Sequence, residues 1–143
     1  LYLRNTNLLL QEIDAALKDE NRKFTFLCGH DTNLVMLLNV LGAGDYHLPE
    51  TICFRSPIGG KLVFEVRQGK DGGQYIYPYV TYQSDSQLRH STQLDLAHPP
   101  VRYAVNLEGI RKNDDGLYYY DDFFKCMEGA FSKYDYYAGL KDN

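Results

Sequence analysis

Over the first eighteen positions apolar residues recur at steps of three and four: Leu3, Leu9, Leu10, Ile13, Ala16 and Leu17. That spacing draws one face of an α-helix, and the polar run Asp19-Glu20-Asn21 ends it. Phe24-Thr25-Phe26-Leu27-Cys28 shows no such period and is a short block of strand formers. A strand apolar on both sides suits the interior of a parallel sheet covered by helices. The pattern therefore predicts an interior strand over residues 24–28, with Cys28 as a small buried residue. Gly29 closes it. Leu34-Val35-Met36-Leu37-Leu38-Asn39-Val40-Leu41 predicts a mostly buried helix starting near Thr32, with Gly42 and Gly44 placed to stop it. Helix, buried strand and buried helix joined by tight turns make a piece of an α/β layer structure.

The second half changes period. Lys61-Leu62-Val63-Phe64-Glu65-Val66-Arg67 reads as a strand, Lys70-Asp71-Gly72-Gly73 as a turn, and residues 74–82 as the returning strand of a β-hairpin. Pro78 has no N–H to give to a ladder, which places its strand at a sheet edge or at a bulge. Val101, Tyr103, Val105 and Leu107 alternate as in another short strand, and Asn113-Asp114-Asp115-Gly116 is a turn. Asp121 and Asp122 then suit the positive end of a last helix. Its face carries Phe123, Phe124, Met127, Phe131 and Tyr134.

Composition narrows the function classes. A net charge of −4 and the lack of any Lys/Arg run argue against a nucleic-acid platform or a polybasic membrane patch. No apolar run is long enough to cross a bilayer. Tyr 13 and Phe 7 against Trp 0 favour half-buried strand faces and rims, where a ring is dry and a hydroxyl wet. Cys28, Cys53 and Cys126 are too far apart for a zinc knuckle or a Cys-x-x-Cys pair. The start, Leu1-Tyr2-Leu3-Arg4-Asn5, has neither an initiator methionine nor a signal-peptide pattern and opens as if inside a helix. This is the expectation for a portion of a longer chain.

One polar cluster stands out, Gly29-His30-Asp31-Thr32-Asn33, where the predicted strand hands over to the predicted helix. Ligands gather at the carboxyl ends of strands in open α/β sheets, and a helix start offers free N–H groups to an anion. There His30 could donate to a phosphate oxygen, Asp31 could act as a general acid toward a leaving alkoxide, and Gly29 could let the backbone turn closely beneath the anion. The structural alternative is ordinary: Asp31, Thr32 and Asn33 are all favoured at helix N-termini, and one of them can simply cap the helix. The site reading requires the strand; an exposed loop or an all-helical segment over 24–28 would sink it.

Phe26-Leu27-Cys28-Gly29-His30-Asp31-Thr32-Asn33-Leu34 resembles the second signature of the histidine acid phosphatases. Leu8 through Leu17 resembles the helix before that strand, and Ser56-Pro57-Ile58-Gly59-Gly60-Lys61-Leu62-Val63-Phe64-Glu65 resembles the family's Pro-Gly-Gly-Glu-Leu-Val-Phe-Glu segment. The tyrosine-rich hairpin, Pro99-Pro100 and Leu107-Glu108-Gly109 follow in the family order. The resemblance implies an α/β fold of phosphoglycerate-mutase type, a central sheet with helices on both faces plus a β-hairpin, of which residues 1–143 are the C-terminal portion. It implies phosphomonoester hydrolysis through a phosphohistidine, with Asp31 as proton donor, His30 binding phosphate, and Gly29, Thr32 and Asn33 among the substrate-binding residues. It implies no metal or organic cofactor, a small phosphomonoester such as a sugar or inositol phosphate as substrate, and a periplasmic or secreted location.

The nucleophile motif of the family, Arg-His-Gly-x-Arg-x-Pro, is not in this sequence. Arg89-His90-Ser91 is the sole Arg-His pair and lacks the glycine, the second arginine and the proline; a solvated loop is its expected setting. His47 and His98 read as surface residues. Where some bacterial relatives carry a disulfide after the last strand, Ile110 and Leu117 stand here. Without its nucleophile half the chain is expected to be inactive alone and to self-associate through an exposed sheet edge. Two other readings stay open: a non-catalytic binding module using the tyrosine-rich hairpin, and phosphoryl transfer of the phosphoglycerate-mutase type.

Overall fold

The computed structural model describes residues 2–140, with side chains from residue 4 onward. Leu3, assigned by spacing to the first helix's apolar face, has its side chain outside the described residues. The elements run α1 (Tyr2–Lys18), α2 (Asp31–Val40), β1 (Lys61–Gln68), β2 (Gln74–Tyr82), α3 (Asp85–Arg89), β3 (Val101–Ala104), β4 (Tyr118–Tyr119) and α4 (Tyr120–Gly139). The α/β class expected from the sequence is what the molecule adopts, with an antiparallel sheet.

The hairpin sets the register. Residues 69–73 close it: Gly72 takes a φ of +80°, its N–H donates to the Gly69 carbonyl, and the Gly69 N–H donates to Gly73 at 2.8 Å. Gln68 then lies opposite Gln74, and the ladder continues to Lys61 opposite Thr81. Strand β2 is the middle of the sheet, with β1 on one side and both β3 and β4 on the other.

That position corrects the expectation for Pro78, which sits in the central strand. On one side Pro78 faces Phe64. On the other, β3 pairs with residues 79–82 and β4 with residues 75–76, so Pro78 falls in the break between them. Its carbonyl accepts from the Val105 N–H at 3.0 Å. A strand residue's nitrogen points to the same edge as its carbonyl, so the missing N–H faces Val105 just beyond the end of β3, whose carbonyl accepts from the Tyr118 hydroxyl at 3.3 Å instead.

The even positions of β2 turn inward. Ile76 and Val80 pack with Phe123, Met127, Leu38, Leu41 and Leu48 in one core. Helix α4 lies on this face, as its residues Phe123, Phe124, Met127 and Ala130 are all buried, and α1 packs against α4 and α2. Asp121 and Asp122 occupy the first turn of α4 as expected. Gly42 ends α2 with a φ of +81°, donating to Asn39 while Ala43 donates back to Leu38. A β-carbon is disfavoured in that left-handed turn.

The odd positions of β2 form a second, polar-aromatic face. Tyr79 donates to Glu65 Oε1 at 2.7 Å, and Arg67 donates twice to Glu65 Oε2, at 2.9 and 2.6 Å. Arg67 also lies over the Tyr77 ring and Arg102 over the Tyr79 ring, 4.2 and 4.9 Å from the centroids. Burial pushes the Glu65 carboxyl upward, but the hydrogen bonds from Tyr79 and Arg67 outweigh it and hold the group below its ordinary value. On the inward face, Tyr82 is pushed up to about 12 by burial and by the neighbouring Glu50 charge.

The strand expected over residues 24–28 is absent. The segment carries no ladder, and Phe24 and Phe26 are 85% and 64% exposed. Cys28, expected to be buried, is exposed with it. A strand exists only through a neighbour's N–H and C=O groups, and none of the described strands runs beside this one. His47 and His98 are exposed as expected. Arg89, His90 and Ser91 are exposed as expected, but His90 is tied to a short helix instead of a free loop: it caps α3, where Nδ1–H donates to the Ser86 carbonyl at 2.8 Å.

Candidate active site

Helix α2 begins where the glycine-histidine-aspartate cluster lies. Its apolar residues Leu34, Leu37 and Leu38 are buried, and the Thr6 hydroxyl of α1 contacts Met36 Sδ at 3.7 Å. These contacts seat the helix, and they leave its N-terminus open to solvent. His30 is the residue before the first turn, in extended conformation (φ −112°, ψ 169°). Asp31 and Thr32 open the first turn, and Asn33 is half-buried.

The turn is tied locally. Asn33 Oδ1 accepts from the His30 N–H at 2.8 Å, while the Asn33 N–H donates to the His30 carbonyl at 3.0 Å. Asp31 Oδ1 accepts from the Thr32 N–H at 2.8 Å. Of the three candidate caps in the sequence, Asn33 therefore takes the N-terminal capping role through its side chain. Gly29 has a close neighbour: a β-carbon there would stand 3.0 Å from Asn33 Oδ1. Its φ lies outside the left-handed region, so what Gly29 provides here is room.

Asp31 and Thr32 also line a shallow depression of about 320 Å³ with Val35 and Met36. A mostly buried helix over residues 34–41 does not by itself assign these two apolar residues to such a depression. The signal was available, since Val35 follows Asp31 by four positions and Met36 follows Thr32 by four, which stacks each pair on one side of a helix. The structure thus brings His30, Asp31 and Thr32 together at one helix start. His90 lies on α3, within a different part of the chain. The exposed segment before Gly29 leaves this cluster without the strand layer expected beneath it.

No family model matches the chain. A glucose-1-phosphatase of Providencia rettgeri is 32% identical over 117 residues, which is 81% of this chain and 28% of that protein. A glucose-1-phosphatase of Salmonella typhimurium is 35% identical over 109 residues, 76% of this chain and 26% of that protein. In structure, the phytase of Citrobacter braakii superposes with a TM-score of 0.78 at 27% identity, covering 90% of this chain and 35% of that one. The Hafnia alvei phytase in complex with tartrate gives 0.77 at 28% identity, over 87% and 33%. Among the described residues no helix is long and apolar enough to cross a membrane. By sequence and by fold, the chain is a homologue of glucose-1-phosphatases and phytases, the histidine acid phosphatases, and spans about a quarter to a third of their length.

Proposed function

We propose that residues 1–143 are the C-terminal portion of a phosphomonoester hydrolase and supply its phosphate-binding histidine and its proton donor. The observation that carries this is the placing of His30 and Asp31 side by side at the start of α2, in a chain homologous to phosphatases. A phosphoryl group at that helix start meets the positive end of the helix dipole, the N–H groups of His30, Thr32 and Asn33 being engaged within the turn itself. His30 donates to a phosphoryl oxygen, and Gly29, Thr32 and Asn33 complete the binding turn. Asp31 Oδ1 is engaged by the Thr32 N–H, which leaves Oδ2 to carry the proton. A histidine from the remainder of the parent attacks phosphorus; the P–N bond forms as the P–O bond breaks, and the Asp31 proton passes to the leaving alkoxide. Water then attacks the phosphohistidine, releasing phosphate and free histidine.

The exposed 24–28 segment is the outcome set against the site reading, and the division into two parts is the reading under which the two agree. Five strand-forming residues without a partner are what remains when the neighbouring strands belong to chain outside this sequence. The substrate is a small phosphomonoester, with sugar and inositol phosphates as the leading class, and the compartment is the periplasm or the exterior. Two measurements test the proposal. The purified 143-residue chain is expected to show no turnover of p-nitrophenyl phosphate above background; turnover abolished by changing His30 or His90 refutes the two-part reading. In the intact parent, Asp31→Asn is expected to depress hydrolysis of alkyl phosphates by about 10²–10⁴-fold, the usual scale of general acid catalysis. Hydrolysis of p-nitrophenyl phosphate, whose leaving group hardly needs a proton, should fall far less. Equal losses would make Asp31 a structural residue.

A further inference from the structure

His30 is held on both sides by one residue. Asn33 accepts the His30 N–H on its side-chain oxygen at 2.8 Å and gives its own N–H to the His30 carbonyl at 3.0 Å. That double clasp closes a ring around the His30 backbone torsions, which set the direction of the imidazole and, one residue later, of the Asp31 carboxyl. The clasp has a spatial condition. A β-carbon at position 29 would meet Asn33 Oδ1 at 3.0 Å, and Asn33 Cβ and Cγ at 3.5 Å. A contact of 3.0 Å forces the oxygen to move by a few tenths of an ångström, and the oxygen is the atom that makes the hydrogen bond.

We infer that Asn33 is a positioning residue for the His30–Asp31 pair and that residue 29 is glycine to admit the Asn33 side chain, an inference that rests on the phosphomonoesterase reading above. Asn33 acts in this role through its acceptor oxygen, on the His30 backbone, beside whatever its own amide NH2 contributes to the binding turn. Misdirecting Asp31 matters when the leaving group needs a proton and matters little when it does not. Asn33 therefore leaves a mark that neither a lost substrate contact nor a general loss of folded enzyme would leave: a change in the ratio of kcat for an alkyl phosphate to kcat for p-nitrophenyl phosphate.

The experiment uses the intact parent with these two substrates. Asn33→Ala is expected to lower kcat on the alkyl phosphate about fivefold to tenfold, the scale of one lost neutral hydrogen bond. On p-nitrophenyl phosphate kcat should change less than about twofold by the same reasoning. Gly29→Ala is expected to reproduce that pattern, and the double variant to be no worse than Asn33→Ala, because the added methyl group then has no oxygen to displace. Asn33→Asp keeps an acceptor in the same place and is expected to restore the substrate ratio. Equal losses on both substrates overturn the inference, as do Gly29→Ala and Asn33→Ala losses that multiply. Asp31→Asn run in parallel separates the two levels. If Asp31→Asn shows the leaving-group split and Asn33→Ala does not, the positioning role alone falls; if Asp31→Asn shows none, the proton-donor reading falls and takes this one with it.

Discussion

Tyr118 is 1% exposed, yet it carries a hydroxyl into the core, and removing that oxygen alone is an informative perturbation. The hydroxyl accepts from the Leu107 N–H at 2.6 Å and donates to the Val105 carbonyl at 3.3 Å, joining the segment after β3 to β4. Tyr118→Phe keeps the ring and its place opposite Ile76, so packing is preserved. What changes is that the N–H of Leu107, itself 2% exposed, has no acceptor and no water to replace it. A buried donor left unsatisfied costs about 1–3 kcal/mol, more than the net worth of a typical hydrogen bond at about 0.5–1.5. The expected loss is therefore about 2 kcal/mol. With a urea dependence of about 1–3 kcal/mol per molar, the unfolding midpoint of the chain should fall by about 1 M. Amide hydrogen exchange at Leu107 should accelerate in the same variant while that of Ile76 changes no more than the global stability does. An unchanged midpoint together with unchanged exchange at Leu107 would show that the hydroxyl does not bridge these strands in solution.

Three further outcomes follow from the same structure. Phe123, fully buried between Phe64 and Phe124 with ring centroids at 5.7 and 5.6 Å, should cost about 3–5 kcal/mol on truncation to alanine; near-UV circular dichroism that survives Phe123→Ala would move the centre of the core elsewhere. Glu65 is held below its ordinary value of 4.5, so its contribution to stability is complete above that value and is lost as pH falls through the lowered one; Glu65→Gln should flatten the acid limb of the unfolding curve, and parallel curves for the two proteins would contradict the assignment. The purified chain, with the strand-forming segment at Phe24 and Phe26 unpaired, should self-associate and bind a hydrophobic dye, and a monodisperse monomer by light scattering without dye binding would show that the apolar segment is covered.

Local pattern was enough for the elements whose stability is local or one-sided. The three- and four-residue steps marked α1, α2 and α4, and the glycine-rich turn with its flanking β-formers marked β1 and β2, since in each case the buried face repeats with the element's own period. Gly42 as a helix stop and Asp121 and Asp122 at a helix start were legible for the same reason. Short α3 had a signal that lacked an apolar run behind it: Ser84 Oγ accepts from the Gln87 N–H while Gln87 Oε1 accepts from the Ser84 N–H, a reciprocal cap spelled Ser-Asp-Ser-Gln. At the candidate site the sequence named His30, Asp31 and Asn33 and the helix they open, because capping chemistry is written within four residues. It did not say which of three cap formers would turn back on His30, since that depends on the space left by Gly29. Partnership between distant segments was decided only by the tertiary structure. Two-residue β4 is a strand because Tyr75 and Ile76 lie opposite it, and Pro78 sits mid-sheet because the Val105 carbonyl beside its nitrogen accepts from the Tyr118 hydroxyl instead. Residues 24–28 have every local mark of an interior strand and form none, because the hydrogen bonds that define a strand are made by its neighbours.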